Sequence, residues 1–160
     1  MRLPTLIGTA LATATAAVVG SVASKAGVET WYPTLKKPAY VPPNAVFPIA
    51  WTSLYADIAV TSASTIDQLR AQGDDAKTRA YLAALGTNLV LNAGWSWLFF
   101  KNHKLGASAV TAGVLAASSA DLARRTAQVN PKAGLALTPY PLWCSFATVM
   151  STDIWRLNKR

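Results

Sequence analysis

Three stretches of this chain carry no charge over the length of a membrane-crossing helix. Leu3–Ser24 runs 22 residues, Ala80–Phe100 runs 21 and Ala133–Thr152 runs 20. A bilayer core takes roughly 20 apolar residues in a helix. A soluble helix of that length needs a polar face with charges every turn or two. Two further stretches hold one acid each, Asp57 in Asn44–Ile66 and Asp121 in Leu105–Ala123. The pattern predicts an all-α integral membrane protein, a bundle of five transmembrane helices. They fall near residues 3–25, 44–69, 78–100, 105–128 and 133–157, in one domain over residues 1–160.

Composition supports this reading. Charged residues make up 14%, against about 25% in a soluble domain. The net charge is +8, but the basic residues sit at predicted helix ends, where they reach lipid headgroups. No basic cluster stands apart from a membrane boundary, so no nucleic-acid partner is expected. Lysine and arginine divide seven to eight between the two sides, so the positive-inside rule sets no orientation. Residues 1–26 also have the outline of a signal peptide, with Arg2 ahead of an apolar run and Ser21-Val22-Ala23 as a small-residue site. That run exceeds the usual 7–15 residues, and the segment is expected to stay as the first helix.

Small residues recur four apart in two predicted helices: Gly8, Ala12, Ala16, Gly20 and Ser24 in the first, Ala109, Gly113 and Ala117 in the fourth. Such stripes let membrane helices approach closely, within one chain or between two. Together with Ala80 and Ala84 on the third helix, the first stripe gives a candidate face for a homodimer.

The stretch Trp31–Tyr55 joins the first two helices with five prolines and six aromatics. Prolines limit its backbone freedom, so ordering it costs little entropy. Beside it, Phe47, Trp51 and Tyr55 recur on one face of the second helix. Asn88, Asn92, Trp95 and Phe99 form a stripe on the third. Tyr140, Trp143 and Ala147 share a face on the fifth. At 1.5 Å per residue, Trp51 lies roughly 10 Å and Asn92 roughly 12 Å inside the membrane. Trp51 and Trp143 lie too deep for an interfacial belt, which leaves a ligand cavity or plain core packing for them. The first loop is expected to be a lid over an aromatic cavity. Asn92 bonds either a neighbouring helix or a ligand, because a buried amide needs partners. Asp57 and Asp121 are read as structural, Asp121 pairing with Arg124 and Arg125 one turn away.

The single histidine, His103, falls in a four-residue turn and the single cysteine, Cys144, in the last apolar stretch. No metal site or cofactor is expected from them. No phosphate loop, nucleophile elbow or Ser/His/Asp set occurs.

These residues resemble a known signature. Trp31-Tyr32-x-x-Leu35-x-Lys37-Pro38, Pro42-Pro43 and Trp51-Thr52-x-Leu54-Tyr55, with Leu91-Asn92-x-x-Trp95-Ser96-x-x-Phe99-Phe100 and Pro139-Tyr140-x-x-Trp143-x-x-Phe146-Ala147, are similar to the translocator protein family. That family is also called TspO, tryptophan-rich sensory protein or peripheral-type benzodiazepine receptor. The resemblance implies a membrane receptor or sensor for tetrapyrroles such as protoporphyrin IX and related hydrophobic ligands. It also implies a frequent homodimer and a pocket of Tyr32, Pro42, Trp51, Tyr55, Asn92, Trp95, Trp143 and Ala147. Lys36 and Lys37 are candidates to meet the ligand's propionates. Oxidative porphyrin degradation with Trp51 and Trp143 taking part, or porphyrin or sterol transport, are the alternative functions. The sterol motif of animal members requires a tyrosine that Val149–Arg156 lacks. The implied location is multi-pass in a bacterial cell membrane, or the mitochondrial outer membrane in a eukaryote.

Overall fold

A computed structural model describes residues 1–159. It is built from helices, with no strand among the described residues. Helix α1 is Leu3–Gly27, α2 is Val46–Ala71, α3 is Asp75–Ser96, α4 is Leu105–Val129, α5 is Pro131–Leu137 and α6 is Pro139–Asn158. Helices α5 and α6 run where the sequence predicts one span, so the bundle has five columns.

The break between α5 and α6 follows from Pro139 and Pro141. Neither proline has an N–H to donate to the preceding turn. The Thr138 hydroxyl takes up the freed Leu135 carbonyl at 2.7 Å instead. Asn130 starts α5 by accepting from Lys132 N at 3.0 Å and Ala133 N at 3.3 Å, with Pro131 at the first helical position. Asp74 caps α3 in the same way, through Lys77 N at 3.0 Å. Just before it, Gly73 turns the chain at φ 70°, a conformation that costs glycine no steric strain.

The third column does not end as a plain helix either. Trp97–Lys101 forms a wide π-helical turn, closed by Asn102 N on the Trp97 carbonyl at 2.9 Å. This segment presses on α1. The Trp97 indole donates to the Val19 carbonyl at 3.0 Å. A Cβ on Gly27 would lie 2.4 Å from the Phe100 carbonyl oxygen, so only glycine fits there.

Around the bundle, α1 packs on α2 and α3, α3 on α4, and α4 on α6, while α5 fills in against α4 and α2. The interior holds many small polar side chains. Thr9, Thr13, Ser62, Thr65, Asn88, Ser108, Ser119, Thr126 and Ser151 are all buried. The outside is the reverse. Leu11, Val18, Ile49, Val90, Val110, Leu135 and Leu142 are exposed, Val90 at 73%. Large apolar side chains turned outward on every column suit a lipid solvent, where polar groups gain by facing one another. By length and composition, α1 and α4 are long and apolar enough to cross a membrane.

Much of the small-residue pattern is used within the chain. Gly20 faces Ser96, and a Cβ added to Gly113 would lie 3.7 Å from the Thr148 methyl. A Cβ added to Gly8 would meet nothing within 4 Å. Asp121 pairs with Arg124 at 2.6 Å and Arg125 at 2.8 Å, the local ion pairs expected from their spacing. Asp57 is half-buried on α2.

Candidate ligand cavity

Helical spacing brings the aromatics together. On α2, Phe47, Trp51 and Tyr55 stand one above another, and Trp51 stacks on Tyr55 with centroids 5.7 Å apart. Trp143 of α6 meets Trp51 edge-on at 6.4 Å and 87°, and Phe47 at 5.9 Å. On α3, Trp95 stacks on Phe99 at 5.1 Å. These groups wall a cavity of about 250 Å³. Its far wall is the glycine and serine face of α1, Gly20, Ser21 and Ser24. Among the described residues, no charged side chain lines it.

Seven of the eight pocket positions inferred from the sequence line this cavity: Tyr32, Trp51, Tyr55, Asn92, Trp95, Trp143 and Ala147. Pro42 is half-buried in the loop and does not line it. Lys36 and Lys37 are exposed and lie outside it. The lining also includes Phe100, Phe146 and Met150, which sequence reasoning did not single out as site residues. Phe146 and Met150 follow Trp143 at three and seven residues, a helical spacing that points to the same face. The α1 wall was legible only as a packing stripe.

The loop over residues 28–45 contributes Val28, Tyr32 and Asn44 to the cavity lining. Tyr32 begins a short 3₁₀ turn, Tyr32–Thr34, and is 5% exposed. Its ring packs on Phe99 at 6.0 Å and on Phe100 at 5.8 Å. Burial raises its phenol above the ordinary value. The Lys37 ammonium lies 4.6 Å over that ring and donates to the Tyr32 carbonyl at 2.9 Å and the Leu35 carbonyl at 3.2 Å. Lys37 therefore holds the turn together. Three further contacts tie the loop to its surroundings. Asn158 at the end of α6 grips the Lys36 backbone twice, accepting from its N–H at 3.0 Å and donating to its carbonyl at 2.8 Å. The Tyr40 hydroxyl donates to Asp153. Trp31 stacks on the exposed His103 at 3.9 Å.

Asn92 has both ends of its amide occupied by protein. Its Oδ1 accepts from the Tyr55 hydroxyl at 2.7 Å, and its Nδ2 donates to the Tyr140 oxygen at 3.1 Å. The ladder continues inward. Tyr140 donates to Asn88 Oδ1 at 2.7 Å, and Asn88 Nδ2 reaches Ser118 and Ser119 at 3.2 and 3.1 Å. Four columns are joined by this chain of side chains beneath the cavity floor. A buried network of this kind fixes register and holds aromatic walls in place.

Residues 8–156 match the TspO/MBR family. The chain is 32% identical to the protein CrtK of Rhodobacter capsulatus, over 80% of this chain and 78% of that one. It is 32% identical to the tryptophan-rich protein TspO of Archaeoglobus fulgidus over 99% of both chains. It is 30% identical to the translocator protein of Homo sapiens, over 80% of this chain and 75% of that one. With its inside-out helical bundle, its aromatic cavity and a match that runs from the first helix to the last, this chain is a member of the TspO/MBR family of membrane helical bundles.

Proposed function

We propose that this chain is a membrane receptor or sensor that takes up a tetrapyrrole, a porphyrin of the protoporphyrin IX type, or a related flat hydrophobic ligand. The chain crosses the bilayer five times as a multi-pass protein, and the loop over residues 28–45 is its lid. The carrying observation is the uncharged cavity walled by Trp51, Trp95 and Trp143. Indole faces suit a flat conjugated ring, each stacked pair adding about 0.5–1.5 kcal/mol beyond area burial. Relatives named as a sensory protein and a translocator protein support the receptor reading.

Size constrains the bound form. Ligand pockets usually run about 300–1,000 Å³, and this cavity is about 250 Å³. A porphyrin must either lift the loop or leave one edge outside. Its acidic edge belongs outside, because no cation among the described residues lines the interior. Lys36 is the better propionate partner, since the Lys37 ammonium already bonds two carbonyls.

A lid that works by pre-organisation gives a test. Replacing Pro42 and Pro43 by glycine removes no cavity-lining side chain, yet raises the entropy the loop loses on closing. Each such change is worth about 0.4–1 kcal/mol, so porphyrin affinity should fall about fourfold to thirtyfold for the pair. Equilibrium titration of the porphyrin Soret band reads this directly. Unchanged affinity would remove the loop from the binding reaction.

A further inference from the structure

The loop over residues 28–45 is fastened unevenly. Its first half is seated on the bundle. Tyr32 is buried against Phe99 and Phe100, the Lys37 ammonium clasps the turn, and Asn158 bonds both polar groups of the Lys36 backbone. The second half, residues 38–45, is held more lightly. Ala39, Tyr40, Pro43, Asn44 and Ala45 are exposed. Its backbone bonds are local, Val41 N to the Pro38 carbonyl at 3.3 Å and Val46 N to the Pro43 carbonyl at 3.0 Å. Val41 rests, partly buried, on the cluster of Phe99, Met150 and Ile154. Tyr40 makes the firmer tie. Its ring meets Phe146 of α6 edge-on at 6.0 Å, and its hydroxyl donates to Asp153. Among the described residues, that is the only side-chain hydrogen bond between residues 38–45 and the rest of the chain. Phe146, Met150 and Asp153 follow at four and three residues along α6, which puts them on one helical face. Phe146 and Met150 line the cavity, so Asp153 stands at the rim of the same wall.

We infer that residues 38–45 are the moving part of the lid and that the Tyr40–Asp153 hydrogen bond is the catch that holds it shut. This rests on the reading of the loop as a lid over a ligand cavity. When the bond breaks, the Tyr40 ring leaves Phe146 and the cavity opens beside Asn44 and Phe146, both of which line it. Tyr32 keeps its seat and stays part of the wall. Pro38, Pro42 and Pro43 fix φ at three of the eight positions, so the segment swings as a piece instead of unravelling. A single exposed hydrogen bond suits a catch. It is strong enough to bias the closed form and weak enough to break without unfolding a helix. Tyr40 and Asp153 are therefore positioning residues, which govern how fast ligand passes and touch none of it.

The test uses the full chain in detergent, with a nitroxide on Ala39→Cys in the second half of the loop or on Thr34→Cys in the first. Cys144 is buried, so the label goes to the introduced thiol. In the ligand-free protein, Tyr40→Phe removes one oxygen and should add a mobile component to the spectrum at Ala39→Cys and none at Thr34→Cys. Without labels, stopped-flow release of protoporphyrin IX should speed about fivefold in Tyr40→Phe. Asp153→Ala should match it. The Tyr40→Phe/Asp153→Ala pair should be no faster than either, because both changes remove the same bond. Thr34→Val deletes a hydroxyl bond inside the first half and should leave release unchanged. Unfolding midpoints should stay together throughout. A label at Ala39→Cys that is as immobile in Tyr40→Phe as in the parent would overturn the proposal. So would additive accelerations in the pair, or equal acceleration by Thr34→Val. A parent that takes up no porphyrin would sink the ligand reading alone, because the label reports the catch with no ligand present.

Discussion

Gly134→Ala is expected to destabilise this protein by about 3 kcal/mol, the upper range for forcing extra volume into a packed core. The added Cβ would sit 2.3 Å from the Ala127 Cβ and 2.5 Å from its Cα. Those are atoms of the facing helix itself, with no flexible side chain to swing aside, so α5 has to leave α4. Gly86→Ala is the control. It lies on the exposed side of α3 with nothing within 4 Å, and should be neutral or stabilising by up to about 1 kcal/mol through helix propensity. Thermal unfolding followed by circular dichroism in one detergent compares the two. Similar midpoints for both variants would mean that α5 does not pack as closely as described.

The next largest effect is expected at the polar ladder. Asn92→Ala strips the Tyr55 hydroxyl of its acceptor and the Tyr140 oxygen of one donor. Leaving buried polar groups unpaired costs about 1–3 kcal/mol, though membrane hydrogen bonds measured singly often fall near the low end. We expect about 2 kcal/mol of stability lost, and a smaller loss of porphyrin affinity than from removing a cavity tryptophan. Unfolding midpoint and porphyrin titration on the same sample separate the roles. Full stability with strongly weakened binding would mean that Asn92 serves the ligand and not the bundle.

Some of this was legible in the sequence because it depends on short-range periodicity. Trp51 and Tyr55, or Trp95 and Phe99, are placed on one face by their spacing alone, and seven pocket positions line one cavity as a result. Asn92 was legible as a buried amide but not in its partners, since Tyr55 and Tyr140 lie 37 and 48 residues away. The break at Thr138 was written in Pro139 and Pro141, yet apolar content over 133–157 suggested one unbroken span. The π turn at Trp97–Lys101 had no local signal. It arises where the Trp97 indole and the Phe100 carbonyl meet α1, a tertiary demand that overrides the α register. The grip of Asn158 on the Lys36 backbone spans 122 residues, and nothing near either residue announces it. The two lysines were equivalent on paper. Only the folded loop shows that Lys37 is spent on its own turn while Lys36 is not.

The reading of the cavity as a tetrapyrrole site rests on Trp51 and Trp143, which meet edge-on in its wall. Porphyrin affinity of the parent, Trp51→Ala and Trp143→Ala, measured by Soret titration beside each protein's melting temperature, tests it most directly. The account predicts saturable binding by the parent. It predicts a loss of about three- to tenfold in each variant from stacking alone, with more from the contact area of the missing ring. Variants that stay folded and bind porphyrin as the parent does would contradict it, and would leave the aromatic cavity as core packing.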